Sequence, residues 1–267
     1  MINHQIGTII LATTDDTQFL YKLIDQSLIF SSQIIISFGS HFYNGDPENE
    51  LLINEVKQHY INNHIVSVVR YNIPDDYIEN TNVNINNYWH CHGRWCGIQK
   101  LSQHIEYVLL LDADEIPEGQ LFLNWLNTYQ YINYDCMKLA NYWYFREPIF
   151  RAKNIIEDSI VLIKKCHADN INLTMQTCER SSTYDYCFGN KIRSVCNNYI
   201  PMFHHYSWVR TYKQMIHKVQ SWGHKNDKDY TLLVNEEFSH PFTGTENIVG
   251  HSYEVVDNIF NIQMFDV

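Results

Sequence analysis

The chain has 267 residues and a formal net charge of −11, with 30 acidic against 19 basic side chains. Nucleic acids and anionic membranes both require a positive field, so this charge argues against either as a partner. The length suits one large α/β domain or two small ones. Seven cysteines without regular spacing favour reduced thiols, and no apolar run approaches the roughly 20 residues of a membrane-spanning helix. We therefore expect a cytoplasmic or cytosol-like protein without a membrane span.

Strand and helix patterns alternate in the N-terminal part of the chain. A strand is predicted at Ile6–Thr13, followed by an amphipathic helix that begins near Asp15. A second strand, a second helix and a third strand are predicted at Gln33–Phe38, Leu51–Tyr60 and Ile65–Arg70. This βαβαβ alternation predicts a parallel, Rossmann-like half.

The patterns become less regular further along the chain. The polar stretch 72–87 is predicted to be a loop, and Tyr88–Gln103 a helix that leads into a strand at residues 107–111. A helix at Gln120–Tyr129 and strands at Asp135–Phe145, Ser159–Lys164 and Lys191–Val195 are predicted next. The last is a helix over residues 209–222, with Thr211 as its cap and Gly223 as its end. The sequence has no internal repeat or sharp change of composition, so a single domain is predicted.

An apolar run ends abruptly in carboxylates in the segment YVLLLDADEIPEG, residues 107–119. Val108–Leu111 is typical of a strand buried on both faces, so Asp112 would emerge at its carboxyl end, where open α/β sheets bind ligands. Alternation would place Asp112 and Asp114 on one side of the chain. Two carboxylates with one spacer suit a divalent cation, and a cation held there binds a diphosphate.

The acidic segment, and the histidines and cysteines of residues 90–96, allow other interpretations. Paired acids at a strand end are often only a solvated turn. An EF-hand calcium loop is disfavoured, because Ile116 and Pro117 stand where an oxygen ligand and a glycine are needed. Haloacid-dehalogenase-like phosphatases carry Asp-x-Asp at the first strand, followed by Thr or Val. Here the motif lies in the middle of the chain and is followed by Glu-Ile-Pro, so this class is disfavoured. A zinc site in HCHGRWC, residues 90–96, lacks a second close pair of ligands.

The segment resembles the Asp-x-Asp signature of GT-A fold glycosyltransferases, in which an apolar strand is followed by Asp-x-Asp-Glu. The form DADEIP is similar to the signature of the enzymes that add the bisecting N-acetylglucosamine to mannosyl glycans, and of family-two-like enzymes. Arg94, in HGRWCGIQKL, resembles the arginine that many such enzymes carry before the signature. The resemblance implies a GT-A (Rossmann-like) α/β fold, with a mixed, mostly parallel central sheet flanked by helices and a C-terminal helical extension.

The resemblance also implies a metal site. It makes Asp114 a direct ligand of manganese or magnesium, and it places Asp112 on the ribose or the metal. In several GT-A enzymes a late histidine completes the metal shell, and either His204 or His205 stands at a similar separation from the signature. An imidazole beside carboxylates favours manganese. Neighbours on a strand face opposite ways, so one of the two histidines should point away from the metal.

Contacts to the nucleotide are implied at two places. The resemblance places nucleoside contacts at Thr13, Thr14 and Asp15, which follow the first strand. Arg94 and Lys191 are basic residues near the motifs that are expected to bind phosphate oxygens. Both would serve as donor-binding residues.

A catalytic base is needed only if the transfer inverts the anomeric centre. By position, Glu179 and Asp185 are the predicted bases, with Glu147 behind them. The aromatic run 141–145 is either a stacking platform for an acceptor sugar or ordinary sheet core. The chain departs from many relatives at Ser37–Ser40, where they carry Asp-Gly-Ser, so recognition of the base is not predicted there.

The predicted function is metal-dependent transfer of a sugar from a nucleotide sugar, uridine-linked, to a glycan or glycosylated acceptor, with release of a nucleoside diphosphate. Residues 1–120 would bind the donor, 121–210 would bind the acceptor and complete the metal site, and 211–267 would form the extension. One alternative is a metal-dependent nucleotidyl- or phosphotransferase, which would need a glycine-rich phosphate loop that the sequence lacks. A second alternative is a non-enzymatic carbohydrate-binding module.

Overall fold

A computed structural model describes residues 4–72, 85–175, 180–223 and 227–265. Its strands are β1 (Ile6–Ala12), β2 (Gln33–Gly39), β3 (Val66–Tyr71), β4 (Tyr107–Asp112), β5 (Glu115–Pro117), β6 (Cys136–Phe145), β7 (Glu147–Lys164), β8 (Lys191–Val195), β9 (Phe203–Trp208) and β10 (Tyr253–Val255). Its helices are α1 (Thr17–Ser27), α2 (Glu50–His59), α3 (Ile85–Ile98), α4 (Gly119–Leu126), α5 (Lys165–Ala168), α6 (Ile171–Thr174), α7 (Arg180–Tyr186), α8 (Tyr212–Ser221) and α9 (Tyr230–Phe238). Short 3-10 turns lie at Thr14–Asp16 and Gln130–Asn133.

The strands form one mixed sheet in the order β3-β2-β1-β4-β7-β6-β9-β5. The first four are mutually parallel, β7 runs antiparallel between β4 and β6, and β8 and β10 pair with β6 and β7. Within the described ranges five of the nine strand pairings are parallel. This confirms the predicted fold class, a mixed, mostly parallel, Rossmann-like α/β sheet flanked by helices.

The apolar run of β4 is explained by helices on both faces of the sheet. Leu109 and Leu111 belong to a core cluster with residues of α1, α2 and α4. Val108 and Leu110 alternate with them and belong to a second cluster, with residues of α3, α5, α6 and α7. A strand covered on both faces has no polar side, which is why the run is continuous.

Two strands differ from the sequence prediction in ways that affect the site. β7 extends over Glu147–Lys164, whereas only Ser159–Lys164 was predicted. Its N-terminal part is largely half-buried or exposed, so it lacks the apolar alternation that identifies a strand. β5, at Glu115–Pro117, was not predicted, because three residues are too few to show a period.

The sheet curls back on itself near the acidic segment. Only Ala113 and Asp114 separate β4 from β5, yet β5 lies at the far end of the strand path, beside β9. The short connection therefore brings β9 close to the carboxyl end of β4. Residues that are distant in sequence meet there.

The C-terminal helical extension is also confirmed. α8 begins with a capping box: the Thr211 side chain accepts from the Gln214 backbone amide, and the Gln214 side chain accepts from the Thr211 backbone amide. The predicted cap at Thr211 is therefore confirmed. α8 and α9 contribute to a separate core cluster, and β10 then returns the chain to β7. In the part of the chain that the structure describes, no helix is both long and apolar enough to cross a membrane.

Candidate active site

α3 packs close to the sheet and places Arg94 beneath the end of β4. Gly93 permits this approach, since a Cβ atom there would lie 2.6 Å from Leu11 Cδ1. Arg94 is 3% exposed, and its Nη2 donates to Asp112 Oδ1 at 2.6 Å. Arg94 therefore orients the first carboxylate of the signature from below.

Arg180, at the start of α7, is the second arginine on this carboxylate. Its two terminal nitrogens donate to the two oxygens of Glu115, and Nη2 lies 3.4 Å from Asp112 Oδ2. Glu115 is fully buried, and it also accepts from the backbone amide of Asp112 at 2.9 Å. Burial opposes ionisation of Asp112, but Arg180 and Arg94 lower its pKa below the usual value. Both arginines thus hold Asp112 as a carboxylate.

Asp114 is the most heavily paired acid of the signature. Lys218 Nζ donates to its Oδ2 at 3.2 Å, and Arg210 Nη2 donates to the same oxygen at 3.4 Å. On the other oxygen, His205 Nε2 lies 3.5 Å from Oδ1. Burial would raise the pKa of Asp114, but Lys218 and His205 hold it well below the usual value. Asp114 is therefore ionised over the physiological range.

His204 and His205 point to opposite faces of β9. His204 is 3% exposed on the core side, where its Nδ1 lies 2.7 Å from the Tyr144 hydroxyl. His205 points to the acidic side, with Nδ1 3.4 Å from Glu157 Oε2. Burial disfavours a charged ring, but Asp114 and Glu157 together raise the pKa of His205 to about 10. Of the two histidines, His205 is the one beside the signature.

Asp112, Asp114, Arg180 and His205 line a cavity of about 460 Å³, within the size range of small-molecule sites. It lies outside the carboxyl ends of β1 and β4, where open α/β sheets bind ligands. The order of the strands in the sheet shows which residues line opposite ends of the cavity. Tyr43, which follows β2, and Asp15, which follows β1, line one end, whereas Glu157 of β7 and Trp143 of β6 line the other.

The structure brings some predicted nucleotide-binding residues into this cavity but not all of them. Thr13 and Asp15 line it together with the signature acids. Thr14 is 6% exposed and is outside the lining; its hydroxyl donates to Glu48 Oε2 at 2.6 Å. The Lys191 ammonium also lies outside the lining and donates to the carbonyl oxygens of residues 184 and 185 at 3.1 and 3.0 Å.

The predicted bases that the structure describes, Asp185 and Glu147, are not among the lining residues. Asp185 is exposed on α7 and is absent from the cavity wall, and Glu179 lies outside the described residues. Glu147 is at the exposed start of β7. The carboxylate that does line the cavity on this side is Glu157.

Sequence reasoning missed Glu157, Arg180 and Lys218, which all line the cavity. Glu157 lies in the part of β7 that shows no strand pattern. Arg180 lies beside residues of no clear periodicity. Lys218 is on α8, whose apolar stripe was interpreted as packing. The sequence offered one signal for Lys218. It lies seven residues, or about two helical turns, after the predicted cap Thr211, and therefore on the same face of the helix.

The donor set suits a divalent cation that arrives with a phosphate ligand. Asp114 and His205 supply one carboxylate and one imidazole, which manganese accepts once it displaces the proton that Asp114 and Glu157 favour on the His205 ring. Over the described ranges no group of three or more His, Cys, Asp or Glu side chains is arranged to hold a metal ion. Cations of this type are commonly held by one or two protein ligands, with substrate phosphates completing the shell. Asp112 Oδ1 is bound by Arg94 and its Oδ2 lies 3.4 Å from Arg180, and its role at the metal or the ribose stays a prediction.

Comparisons with known proteins identify no family. No protein-family model matches the chain, and neither does any curated protein. Among solved structures, the chain is similar to a 4-diphosphocytidyl-2C-methyl-D-erythritol synthase from Anaerococcus prevotii, at 9% identity and a TM-score of 0.46, over 88% of this chain and 96% of that chain. It is also similar to residues 1–349 of S. aureus TarS, at 10% identity and a TM-score of 0.44, over 79% of this chain and 63% of that chain.

Proposed function

We propose that the protein is a glycosyltransferase that moves a sugar from a nucleotide sugar, uridine-linked, to a carbohydrate acceptor and releases a nucleoside diphosphate. The observation that carries the proposal is the pairing of Asp114 with His205 in a cavity at the carboxyl ends of β1 and β4. A diphosphate leaving group needs a concentrated positive charge at that position. The pair is suited to hold the cation that provides it.

The charge balance of the cavity supports a cation. Five carboxylates line it, from Asp15, Asp16, Asp112, Asp114 and Glu157. The positive side chains in the lining are Arg180, Arg210 and Lys218, and His205 adds a fourth while its ring is protonated, so the acids remain in excess. Adding a diphosphate to an already acidic lining is unfavourable unless positive charge enters with it. A divalent ion held by Asp114 and His205 would supply that charge and act as a Lewis acid towards the leaving group.

The chain's own cations have a second task in this proposal. Lys218 and Arg210 reach Asp114 from α8 and from the segment before it, so both stand at the rim of the proposed cation site. When a diphosphate enters, these donors are in position to transfer hydrogen bonds from the carboxylate to phosphate oxygens. They would then stabilise the charge that develops as the glycosidic bond breaks.

Glu157 is the proposed catalytic base. It is on β7, at the end of the cavity away from Asp15, and its Oε2 lies 3.4 Å from both His205 Nδ1 and Asn141 Nδ2. Among the described lining acids, Glu157 and Asp15 are the two with no lysine or arginine within ion-pair distance, and Asp15 is paired with His217 at the opposite end of the cavity. In an inverting transfer, the acceptor hydroxyl would give its proton to Glu157 while its oxygen bonds to the anomeric carbon. The bond from that carbon to the diphosphate breaks, and the electron pair leaves with the diphosphate.

The test is a donor screen combined with thermal stability. Wild-type protein with manganese is incubated with a panel of nucleotide sugars, and released nucleoside diphosphate is measured. UDP plus manganese should raise the melting temperature of the wild type and of the exposed control Asp185→Asn, but not of Asp114→Ala. Formation of nucleoside triphosphate and sugar 1-phosphate from a nucleotide sugar when pyrophosphate is added, in place of nucleoside diphosphate release, would indicate a nucleotidyltransferase. No release and no stabilisation with the intact protein would refute the proposal.

A further inference from the structure

The cavity has an aromatic end that the donor site does not use. Along the sheet, β7 and β6 follow β4 on the side away from β1, and Trp143 of β6 lines the wall there. Trp208 of β9, Trp222 at the end of α8 and Tyr230 at the start of α9 complete it. We call these four residues the aromatic lobe. Glu157 lies at the junction between the aromatic lobe and the signature acids.

The four rings are held in fixed positions by one another and by the sheet. Trp208 and Trp222 meet edge to face at a centroid distance of 5.5 Å, and Trp222 and Tyr230 do so at 5.0 Å. Trp143 meets the His205 ring edge to face at 5.0 Å. Edge-to-face contacts hold the rings in their orientations before a ligand binds, so ligand binding does not have to order them.

The rings differ in how much of their surface is available. Trp208 is 4% exposed and serves mainly as packing. Trp143, Trp222 and Tyr230 are only half-buried although they line the cavity. Large apolar rings left partly open inside a polar cavity are characteristic of ligand sites rather than of a core. Pure sheet packing would have buried them as it buries Trp208.

We propose that the aromatic lobe is the acceptor subsite and that it binds a pyranose ring by its apolar face. This rests on the proposed function, because it needs a donor bound at the signature acids. A pyranose has a flat C–H face that covers an aromatic ring and hydroxyl edges that reach polar groups. Ser207 and Ser221 are polar lining residues at this end. A sugar stacked there would present one hydroxyl to Glu157, between the lobe and the anomeric carbon.

The experiment uses the full chain with manganese, the donor found by the screen, and methyl pyranosides of glucose, galactose, mannose and N-acetylglucosamine as acceptors. At least one pyranoside should be glycosylated faster than the donor is hydrolysed. Trp143→Ala should raise the KM for that pyranoside about tenfold, as loss of one aromatic stacking contact predicts. The KM for the donor and the affinity for UDP should change much less than the acceptor KM does, although Trp143 also packs against the His205 ring.

Phe188→Ala provides the matched control, because Phe188 is 87% exposed and lies outside the cavity lining. It should change none of these values. If Trp143→Ala is not folded by its circular dichroism spectrum, Trp143→Phe is measured, with a smaller rise in the acceptor KM expected. An unchanged acceptor KM, a parallel loss of UDP affinity, or a wild type that hydrolyses its donor but uses no pyranoside would each overturn the inference. Failure of the proposed function differs, since no nucleotide would then be released from any donor.

Discussion

The imidazole of His205 lies 3.5 Å from the Asp114 carboxylate, although the two residues belong to different strands far apart in the sequence. The contact exists because β5 pairs with β9 after a link of only two residues from β4. The preceding residue in β9, His204, has the opposite orientation and packs in the core. The pair of histidines therefore provides an internal control for the site.

Replacing His205 should abolish the response to metal, whereas replacing His204 should not. His205→Gln removes a nitrogen that the proposed cation needs, so manganese should bind about 100-fold more weakly in the presence of UDP. His204→Gln should keep that response but lower the free energy of unfolding by about 1–3 kcal/mol, because a buried hydrogen bond to Tyr144 is lost. Isothermal titration with manganese and urea unfolding give the two readouts. Equal metal affinities in the two variants would contradict the assignment.

Glu157→Gln should lower kcat about 100-fold to 10,000-fold, because general base catalysis typically contributes that much. The affinity for UDP should change far less than kcat does, because the side chain lies on the acceptor side of the cavity and reaches the proposed metal site only through the His205 ring. Glu147→Gln and Asp185→Asn are the controls, because both acids are exposed and outside the lining. Product analysis by NMR should show an inverted anomeric centre. Retention of configuration, or full activity of Glu157→Gln, would exclude Glu157 as the base.

The buried ion pair between Arg180 and Glu115 should be a major contributor to stability. Arg180→Met leaves a fully buried carboxylate without its charge partner, and breaking such a pair typically costs about 3–5 kcal/mol. Arg193→Met is the control, because the Arg193 side chain pairs with Asp158 but is 59% exposed. We expect no measurable change in its free energy of unfolding. Urea unfolding of both variants measures the difference. Similar midpoints for Arg180→Met and the wild type would contradict the expected role.

Glu48 should make the protein less stable as the pH rises. Burial raises the pKa of this carboxyl from 4.5 to about 7, against the opposing hydrogen bonds from Thr14. A raised carboxyl pKa means that the folded state holds a proton that the unfolded state has lost. The associated stability is complete below pH 4.5 and is lost as the pH rises through 7, an effect of about 3 kcal/mol.

Glu48→Gln removes this titration. The free energy of unfolding of the variant, relative to the wild type, should therefore increase between pH 5 and pH 8. Glu50→Gln, an exposed neighbour at the start of α2, should show no such trend. Urea unfolding at both pH values supplies the measurement. A difference that stays constant with pH would show that Glu48 is ionised in the folded protein throughout.

Much of the scaffold was predictable because its signals are local. The buried strand before Asp112 follows from four consecutive apolar residues, and the start of α8 follows from the capping residue Thr211. β8 was predicted with the bounds that the structure shows. The long strand β7 was not, because half of it is neither regularly buried nor regularly exposed. Local patterns identify an element only when its burial repeats with its own period.

The sequence by itself determined the α/β alternation, the caps and the place where carboxylates leave a buried strand, since each depends on residues within about one or two turns of one another. Only the tertiary structure decided that His205 and not His204 contacts Asp114, that two arginines bind Asp112, and that Glu157 lines the cavity. Those choices depend on strand register and on the curl that places β5 beside β9. A shift of one residue in that register would reverse every side chain of β9. No pattern within β9 encodes which of the two faces meets the carboxylates.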